Sequence, residues 1–556
     1  MRLPSRVGVG QAPSLSAMRW SAAVTLASIA AVSPVIALGV GYGGGGGGFG
    51  GSAIDSAFGL GVIGAPAGDA GAEGQAGWTF TSGVALSATY SDNANLTSTS
   101  NEAQEEIFLQ VLPYFTVDGE GARVKAQGYY APALYTGTIG DTSPSIDNFL
   151  SFNGTVEVTP DTFFVDGYAK ASVVNQSATG AGGGIPSGSY LYNSDNLTQA
   201  FAIGVSPSVR HHLGSTADFL ARANIGTTNF ADSSGNNSVD ASFQAGFTSG
   251  PDFQRLPWSV YYRLRGISFG ESSTTASDSN TYQELTGRAS YRISPIWRID
   301  ASLGYANNDY QTTSGNTSGA TWSLGGTWTP NSRVALSLGY GGQPYGNSWY
   351  LNSRYSHKRV RWFANYSTQL TTVQEEFLQS PTFVQTDPNG LPVVDPATGL
   401  PILVTRVDPT LTNESYVLSR FFTGVNWTGN RTTVGLDANW NQREYQVSGG
   451  TEQDWGIGAR VSRTLSADMT ATARLGWTSY EDLRTGAVPG TGLTETDEYD
   501  SWDASVLLTR RLSERSSVSG IYRYISDVGA TGFDSGDSSG ASGPENRVTL
   551  VFNHSF

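Results

Sequence analysis

The stretch that most restricts what this chain can fold into is its last eleven residues, Asn546 to Phe556, NRVTLVFNHSF. One parity carries Val548, Leu550, Phe552, His554 and Phe556, and the other carries Arg547, Thr549, Val551, Asn553 and Ser555. A period of two puts these sets on opposite faces of a strand. A C-terminal strand of a soluble sandwich would satisfy that alternation. A bacterial outer-membrane barrel also accounts for the aromatic end, because its last strand faces lipid, closes the sheet against the first strand and finishes in an interfacial aromatic girdle. On this reading Phe552 and Phe556 are the closure residues and the signal read by the barrel-assembly machinery. What decides between the two is whether the preceding residues repeat the pattern.

They do, from Trp78 onward. Met469, Ala471, Ala473, Leu475 and Trp477 alternate with Thr470, Thr472, Arg474, Gly476 and Thr478. Trp297, Ile299, Ala301, Leu303 and Tyr305 alternate with Arg298, Asp300, Ser302 and Gly304. Segments around 334–340 and 434–441 repeat the theme. Such lengths suit a tilted strand crossing a bilayer. Short turns (TPDT at 159–162, TPNS at 329–332, TGNR at 428–431) alternate with longer polar segments such as 175–196, 373–413 and 528–545. That order is expected of short periplasmic turns and longer extracellular loops. It weakens near 249–256 and 342–348. The fold expected is an all-β, antiparallel, up-and-down transmembrane barrel of about 22 strands, within a range of about 18 to 22, spanning 78–556. Closure removes the two exposed edges that so many strands would leave in an open sheet. A β-helix or propeller would need a repeat of fixed length, and the loop lengths vary too widely for one.

Composition agrees. Charged residues are 14 % of the chain, against about 25 % in ordinary globular proteins, while aromatics reach 11 % with 69 Gly. Cys is absent, which removes disulfides, thiolate metal sites and a lipid-modified N-terminal Cys. A net charge of −15 argues against nucleic acid as a partner. Arg2, Arg6 and Arg19 precede the apolar run 21–40, which reads as a signal peptide over 1–37. A retained membrane helix is disfavoured by Pro34 and by the uncharged far flank. The segment 38–77 is a Gly/Ala-rich flexible lead, too bland to make the folded plug of an energy-coupled receptor.

The polar parity is where function should be legible, because lumen side chains set what passes. Lys125, Arg263, Arg265, Arg288, Arg298, Arg333, Arg354, Arg460, Arg474 and Arg523 are expected to line the lumen. Arg511 and Arg547 share that parity, with Glu284, Asp300, Asp437 and Asp503 among their acidic neighbours. Such a lumen favours anions or hydroxyl-rich acidic polymers, with Tyr129 and Tyr261 as stacking surfaces for sugar rings. The competing reading is that the arginines pair with acids on neighbouring strands and stiffen the wall. Outward clusters such as Glu102, Glu105 and Glu106, or Glu375 and Glu376, could hold divalent cations against lipopolysaccharide, or simply form a solvated rim. The Pro-rich loop 373–413 is the candidate constriction or lid.

Catalysis is not expected. His211, His212, His357 and His554 all fall at the predicted periplasmic end, and no GxSxG, HExxH or P-loop sequence is present. No cofactor, metal site or catalytic residue is assigned.

The segments GVALSATYSDNANLT (83–97), EIFLQVLPYFTVDGEGARVKAQGYYAPALY (106–135) and DNFLSFNGTVEVTPDTFFVDGYAKASVVNQ (147–176) resemble the large outer-membrane barrels associated with PEP-CTERM and exosortase systems. The resemblance spans the barrel from about residue 78 and rests on a Tyr-x-Asp-Asn first hairpin and a Thr-Pro-Asp turn followed by Phe-Phe-Val-Asp. It implies a porin-like barrel linked to exopolysaccharide export, in the bacterial outer membrane and in contact with its lipid and lipopolysaccharide. The alternative function is a structural or adhesive barrel whose loops bind a surface polymer.

Overall fold

The computed structural model describes residues 77–94, 103–139, 144–176, 197–232, 236–270, 279–313, 316–379, 410–484, 495–528 and 544–556. The expected signal peptide, all but the last residue of the expected lead, and the middle of the Pro-rich loop (380–409) lie outside them.

Alternation dictates twenty-two strands in chain order. The first eight are β1 (Gly77–Ser91), β2 (Glu106–Glu120), β3 (Val124–Gly137), β4 (Ser145–Thr159), β5 (Phe163–Asn175), β6 (Leu197–Leu213), β7 (Ala217–Phe230) and β8 (Ser238–Ser249). Next come β9 (Trp258–Phe269), β10 (Ser279–Ser294), β11 (Trp297–Asp309), β12 (Ser318–Asn331), β13 (Val334–Gln343), β14 (Gly346–His357) and β15 (Val360–Thr371). The short helix α1 (Val373–Gln379) leads from β15 into the long loop. The ring is completed by β16 (Tyr416–Thr428), β17 (Thr432–Tyr445), β18 (Thr451–Thr464), β19 (Met469–Arg484), β20 (Glu495–Arg511), β21 (Ser516–Val528) and β22 (Glu545–Ser555).

Every strand pairs antiparallel with its sequence neighbours, and β1 also pairs with β22, from Gly83 opposite Ser555 to Ser91 opposite Arg547. Side chains as well as backbone bond across the seam. Thr89 and Thr549 hydroxyls lie 3.0 Å apart, Tyr114 Oη donates to Asn553 Oδ1 at 3.2 Å, and the Phe556 amide donates to the Ser82 carbonyl at 2.8 Å. Phe552 and Phe556 sit on the outer face of this seam, as the terminal pattern predicts. With both edges consumed, the backbone of each strand finds hydrogen-bonding neighbours on both sides, the condition a strand must meet to cross hydrocarbon.

The side chains obey the period of two with the soluble rule inverted. On β11, Trp297, Ile299, Leu303 and Tyr305 are exposed on the outer face, while Asp300 and Ala306 on the inner parity are buried. Aromatics collect in two belts on that outer face. Near the short-turn end Trp297 stacks on Trp328 and Phe219 packs at a tilt on Phe247; near the long-loop end Tyr340 lies between Trp322 and Trp349, and Trp440 packs on Trp455. An apolar band between two aromatic girdles is the outer surface of a transmembrane barrel.

The alternation of short and long connections holds with one exception. The region 249–256 proves to be a short-turn-end connection (250–257) containing a 3-10 turn at Pro251–Phe253. At the long-loop end β13 and β14 are joined through residues 344 and 345 alone, with Gln343 opposite Gly346. Gly346 has φ of 133°, a conformation open to glycine. His211 and His212, expected in a turn, are still within β6, where His212 pairs with Asp218 across the hairpin at 2.6 Å.

Candidate functional site

The inner face is polar but crowded at one level, where α1 crosses it. Thr372 starts this helix: the Glu375 amide donates to its hydroxyl at 3.4 Å and the Glu376 amide to its carbonyl at 2.9 Å. Acids in the first turn suit the positive end of the helix. Seven residues of helix would not persist alone, so the surrounding wall must hold it.

That wall supplies charges of opposite sign on both sides. Arg265 of β9 donates to Glu375 at 2.5 Å, and Thr371 Oγ1 donates to the same carboxylate at 3.0 Å. Glu376 accepts from Tyr416 Oη at 2.6 Å, from Arg420 Nη2 at 2.7 Å and from Arg443 at 3.1 Å. Arg443 is fully buried, and its other nitrogen reaches Asp454 at 3.2 Å, which also accepts from Asn441 at 2.7 Å. Burial pushes the Glu375 carboxyl above its ordinary range, and the adjacent Arg265 opposes that shift without reversing it.

Apolar packing completes the clamp. Phe377 enters a cluster formed by Val174, Ala200, Ala202 and Phe230 of β5–β7 together with Tyr416 and Leu418 of β16. The Lys170 ammonium lies 4.4 Å from the Phe377 ring centre and also donates to the Phe377 carbonyl. β6 and β16 are ten strands apart in a ring of twenty-two, so the helix joins opposite sides of the barrel. Ser415, at the far leg of the same loop, is held by Tyr282 and Asn280 of β10 at 2.6 and 3.1 Å.

The residues expected to line the lumen divide into groups. Arg263, Arg265, Arg298 and Arg523 are on the inner face, each beside an acid: Glu284 at 3.8 Å, Glu375, Asp300 at 2.9 Å and Asp503 respectively. Pairing within the wall therefore takes up much of the expected positive lining. Arg288 is half-buried on the inner parity of β10. Arg460 and Arg474 face each other across β18 and β19 on the inner parity. Arg354 is on the inner parity of β14 and exposed, with no ion-pair partner among the described residues. Lys125 is at the short-turn rim in a hairpin pair with Glu120, both largely exposed.

Three expectations are corrected. Arg333 falls in the turn before β13 and donates to His357 Nδ1 at 3.0 Å, outside the strands, because the inner parity runs on into the turn after the strand has ended. Glu375 and Glu376, assigned to an outward acidic rim, point into the lumen, because α1 folds back between the walls. Tyr129 is half-buried against the apolar cluster of Ala85, Leu112 and Tyr114, and Tyr261, also half-buried, hydrogen-bonds Thr248 at 2.8 Å with its ring over Gly246, so both pack into the wall. Sequence reasoning also missed Arg420 and Arg443, although each has the inner parity of its strand; only the folded loop brings them opposite Glu376.

No protein-family model and no curated protein matches the chain. Solved structures match in overall shape. The ferric enterobactin receptor PfeA of Pseudomonas aeruginosa, a mutant form in complex with enterobactin, aligns at 11 % identity and a TM-score of 0.46, over 87 % of this chain and 82 % of that one. The siderophore receptor PirA of Acinetobacter baumannii gives 10 % and 0.47 over 86 % and 81 %, and the FrpB iron transporter of Neisseria meningitidis gives 11 % and 0.39 over the same shares. At such values the likeness conveys nothing about function, and what this chain is known by is its form: a closed, 22-stranded, antiparallel transmembrane β-barrel.

Proposed function

We propose that the chain is an outer-membrane conduit for polar, hydroxyl-rich or anionic solutes, with an exported polysaccharide as its cargo and α1 as its constriction. The supporting observation is the contrast within one wall: an apolar outer face, a charged and hydroxyl-rich inner face, and a charged helix held across the lumen by both sides. A purely structural wall would not need to hold such a helix against its desolvation cost. The sequence likeness to exosortase-associated barrels directs the choice of polymer. In this arrangement the short-turn end faces the periplasm and the acidic long loops face outward towards lipopolysaccharide.

A second reading is favoured by the apolar half of the clamp. With Phe377 seated between β5–β7 and β16, the lumen stays shut and the barrel acts as a scaffold whose loops bind a surface polymer. Replacing 373–413 with a short Gly/Ser linker separates the two. A conduit already passes current in planar bilayers in its native form and gains conductance in the variant, whereas a scaffold shut by α1 passes none in its native form and loses surface binding in the variant. Complete absence of current from the native barrel and from the linker variant would sink the conduit.

A further inference from the structure

Just on the short-turn side of the clamp, the lumen wall carries an aromatic surface that the fold leaves partly uncovered. Phe422 of β16 is on the same inner parity as Tyr416 and Arg420, yet it is 36 % exposed. Its register partners are Asn365 of β15 and Asn439 of β17, and Asn365 in turn is opposite Asn352 of β14. Asn352, Asn365, Phe422 and Asn439 therefore form one cross-strand row inside the barrel. The next row towards the short turns holds Arg354, Phe363, Gly424 and Asp437. Phe363 packs beside Phe422 with ring centres 5.1 Å apart and lies over Gly424, where a Cβ would come within 2.8 Å of its ring.

An exposed phenyl in an otherwise polar lumen costs hydration free energy unless something apolar covers it in use. Here the cover must also meet amides on both sides of the ring: Asn365 offers a donor and an acceptor, while Asn439, whose Nδ2 already donates to Asp454 at 3.3 Å, offers its carbonyl oxygen and its second N–H. A pyranose ring meets both demands, with a C–H face for the phenyl and a rim of hydroxyls for the amides. Arg354 adds a planar, charged donor suited to a carboxylate. By strand spacing and rise it stands about 12 Å from Phe422, about two sugar residues along a chain. Asp437, on the opposite flank of the same row, repels a carboxylate and so orients the chain towards Arg354.

We propose that Phe422, flanked by Asn365 and Asn439, is a carbohydrate subsite of the lumen, and that Arg354 gives it a preference for uronate-bearing glycans. This deepens the conduit reading and rests on it for the route of the sugar, but the site can be tested without transport. Native barrel, Phe422→Ala, Phe422→Trp and Arg354→Gln are compared in two measurements: block of bilayer current, and calorimetric titration of the refolded full chain in detergent. Each is done with oligogalacturonate and with a neutral malto-oligosaccharide of equal length. Phe422→Ala should weaken both sugars at least about tenfold. Phe422→Trp should keep both, and Arg354→Gln should reduce the uronate to the level of the neutral sugar alone.

Equal binding by native and Phe422→Ala barrels overturns the subsite. Loss on Phe422→Ala with no difference between the two sugars in the native barrel overturns the role of Arg354. Phe422-dependent binding without any bilayer current leaves the subsite standing and removes the conduit. Current that ignores both sugars, with no calorimetric signal, does the reverse.

Discussion

At the scale of single residues, the inner wall is built by tyrosines lying over glycines. The Tyr168 ring occupies the space that side chains at Gly204 and Gly226 would need, with a Cβ at Gly204 falling 2.4 Å from the ring and one at Gly226 falling 2.4 Å from the hydroxyl. Tyr350 does the same over Gly339 and Gly325. In a strand a glycine is a weak choice on entropic grounds, and here it makes room for an aromatic that would otherwise project into the lumen. Gly204→Ala must displace the ring of Tyr168, at a cost of about 1–3 kcal/mol, the range for overpacking a filled site. The expected outcome is a lower temperature for loss of the compact band in semi-native gel electrophoresis, largely restored when Tyr168→Ala is added. An unchanged temperature in the single variant would mean that the ring moves aside freely. The same logic separates Tyr261, whose ring lies over Gly246, from Phe422, whose ring is left open to the lumen: parity alone predicts that both face inward, and only register decides which ring finds a glycine to lie on.

At the scale of elements, α1 is held by charges whose value depends on all partners being present. Arg443 has no access to solvent and bridges Glu376 to Asp454. Removing it as Arg443→Met leaves two carboxylates facing each other in a buried site, a change of the kind that costs about 3–5 kcal/mol. The helix should then leave the lumen, read as higher single-channel conductance and as new protease cleavage near Gln379 in the folded barrel. Unchanged conductance and cleavage would place the retention of α1 on its apolar contacts. Acidification acts in the opposite sense. Because burial raises the Glu375 carboxyl when the helix is docked, the docked state binds a proton more tightly than the released state. Lowering pH from about 7 to about 5 therefore favours docking, and conductance should hold or fall over that window. A rise on acidification, abolished in Glu375→Gln, would contradict this sign. The strands that build the wall were readable from alternation because each is a local pattern with period two. The clamp was not, because Thr372, Glu375 and Glu376 look like an ordinary polar loop start until β9, β16 and β17 close around them.

At the scale of the whole molecule, charge is sorted along the barrel axis. At the short-turn end Arg123, Arg255, Lys358, Arg359, Arg431, Arg515 and their basic neighbours outnumber acids such as Glu120, Asp161, Asp252 and Asp468 among the described residues, and just inside it Arg354, Arg460 and Arg474 face the lumen. The long-loop end carries Asp92, Asp232, Asp309, Glu414, Glu481 and Asp527 among its described residues. A net charge of −15 is thus no uniform skin but a cylinder with a basic mouth and an acidic one. Charges of opposite sign at the two ends of a low-dielectric tube concentrate different ions at each end. A conduit with this layout passes current more readily in one direction, and its basic mouth raises the local concentration of anions. Barrels inserted in a single orientation should rectify at about 0.1 M salt, where screening extends about 10 Å, and lose most of that asymmetry at about 1 M, where it extends about 3 Å. Neutralising Arg354, Arg460 and Arg474 together as glutamines should flatten the current–voltage curve at low salt and move the reversal potential in a KCl gradient towards the cation side. The wall should survive, because these three charges are absent from the α1 clamp. A symmetric curve from the native barrel at low salt would show that the lumen is wide enough for counter-ions to cancel both mouths, and would remove charge sorting from any account of how solutes enter.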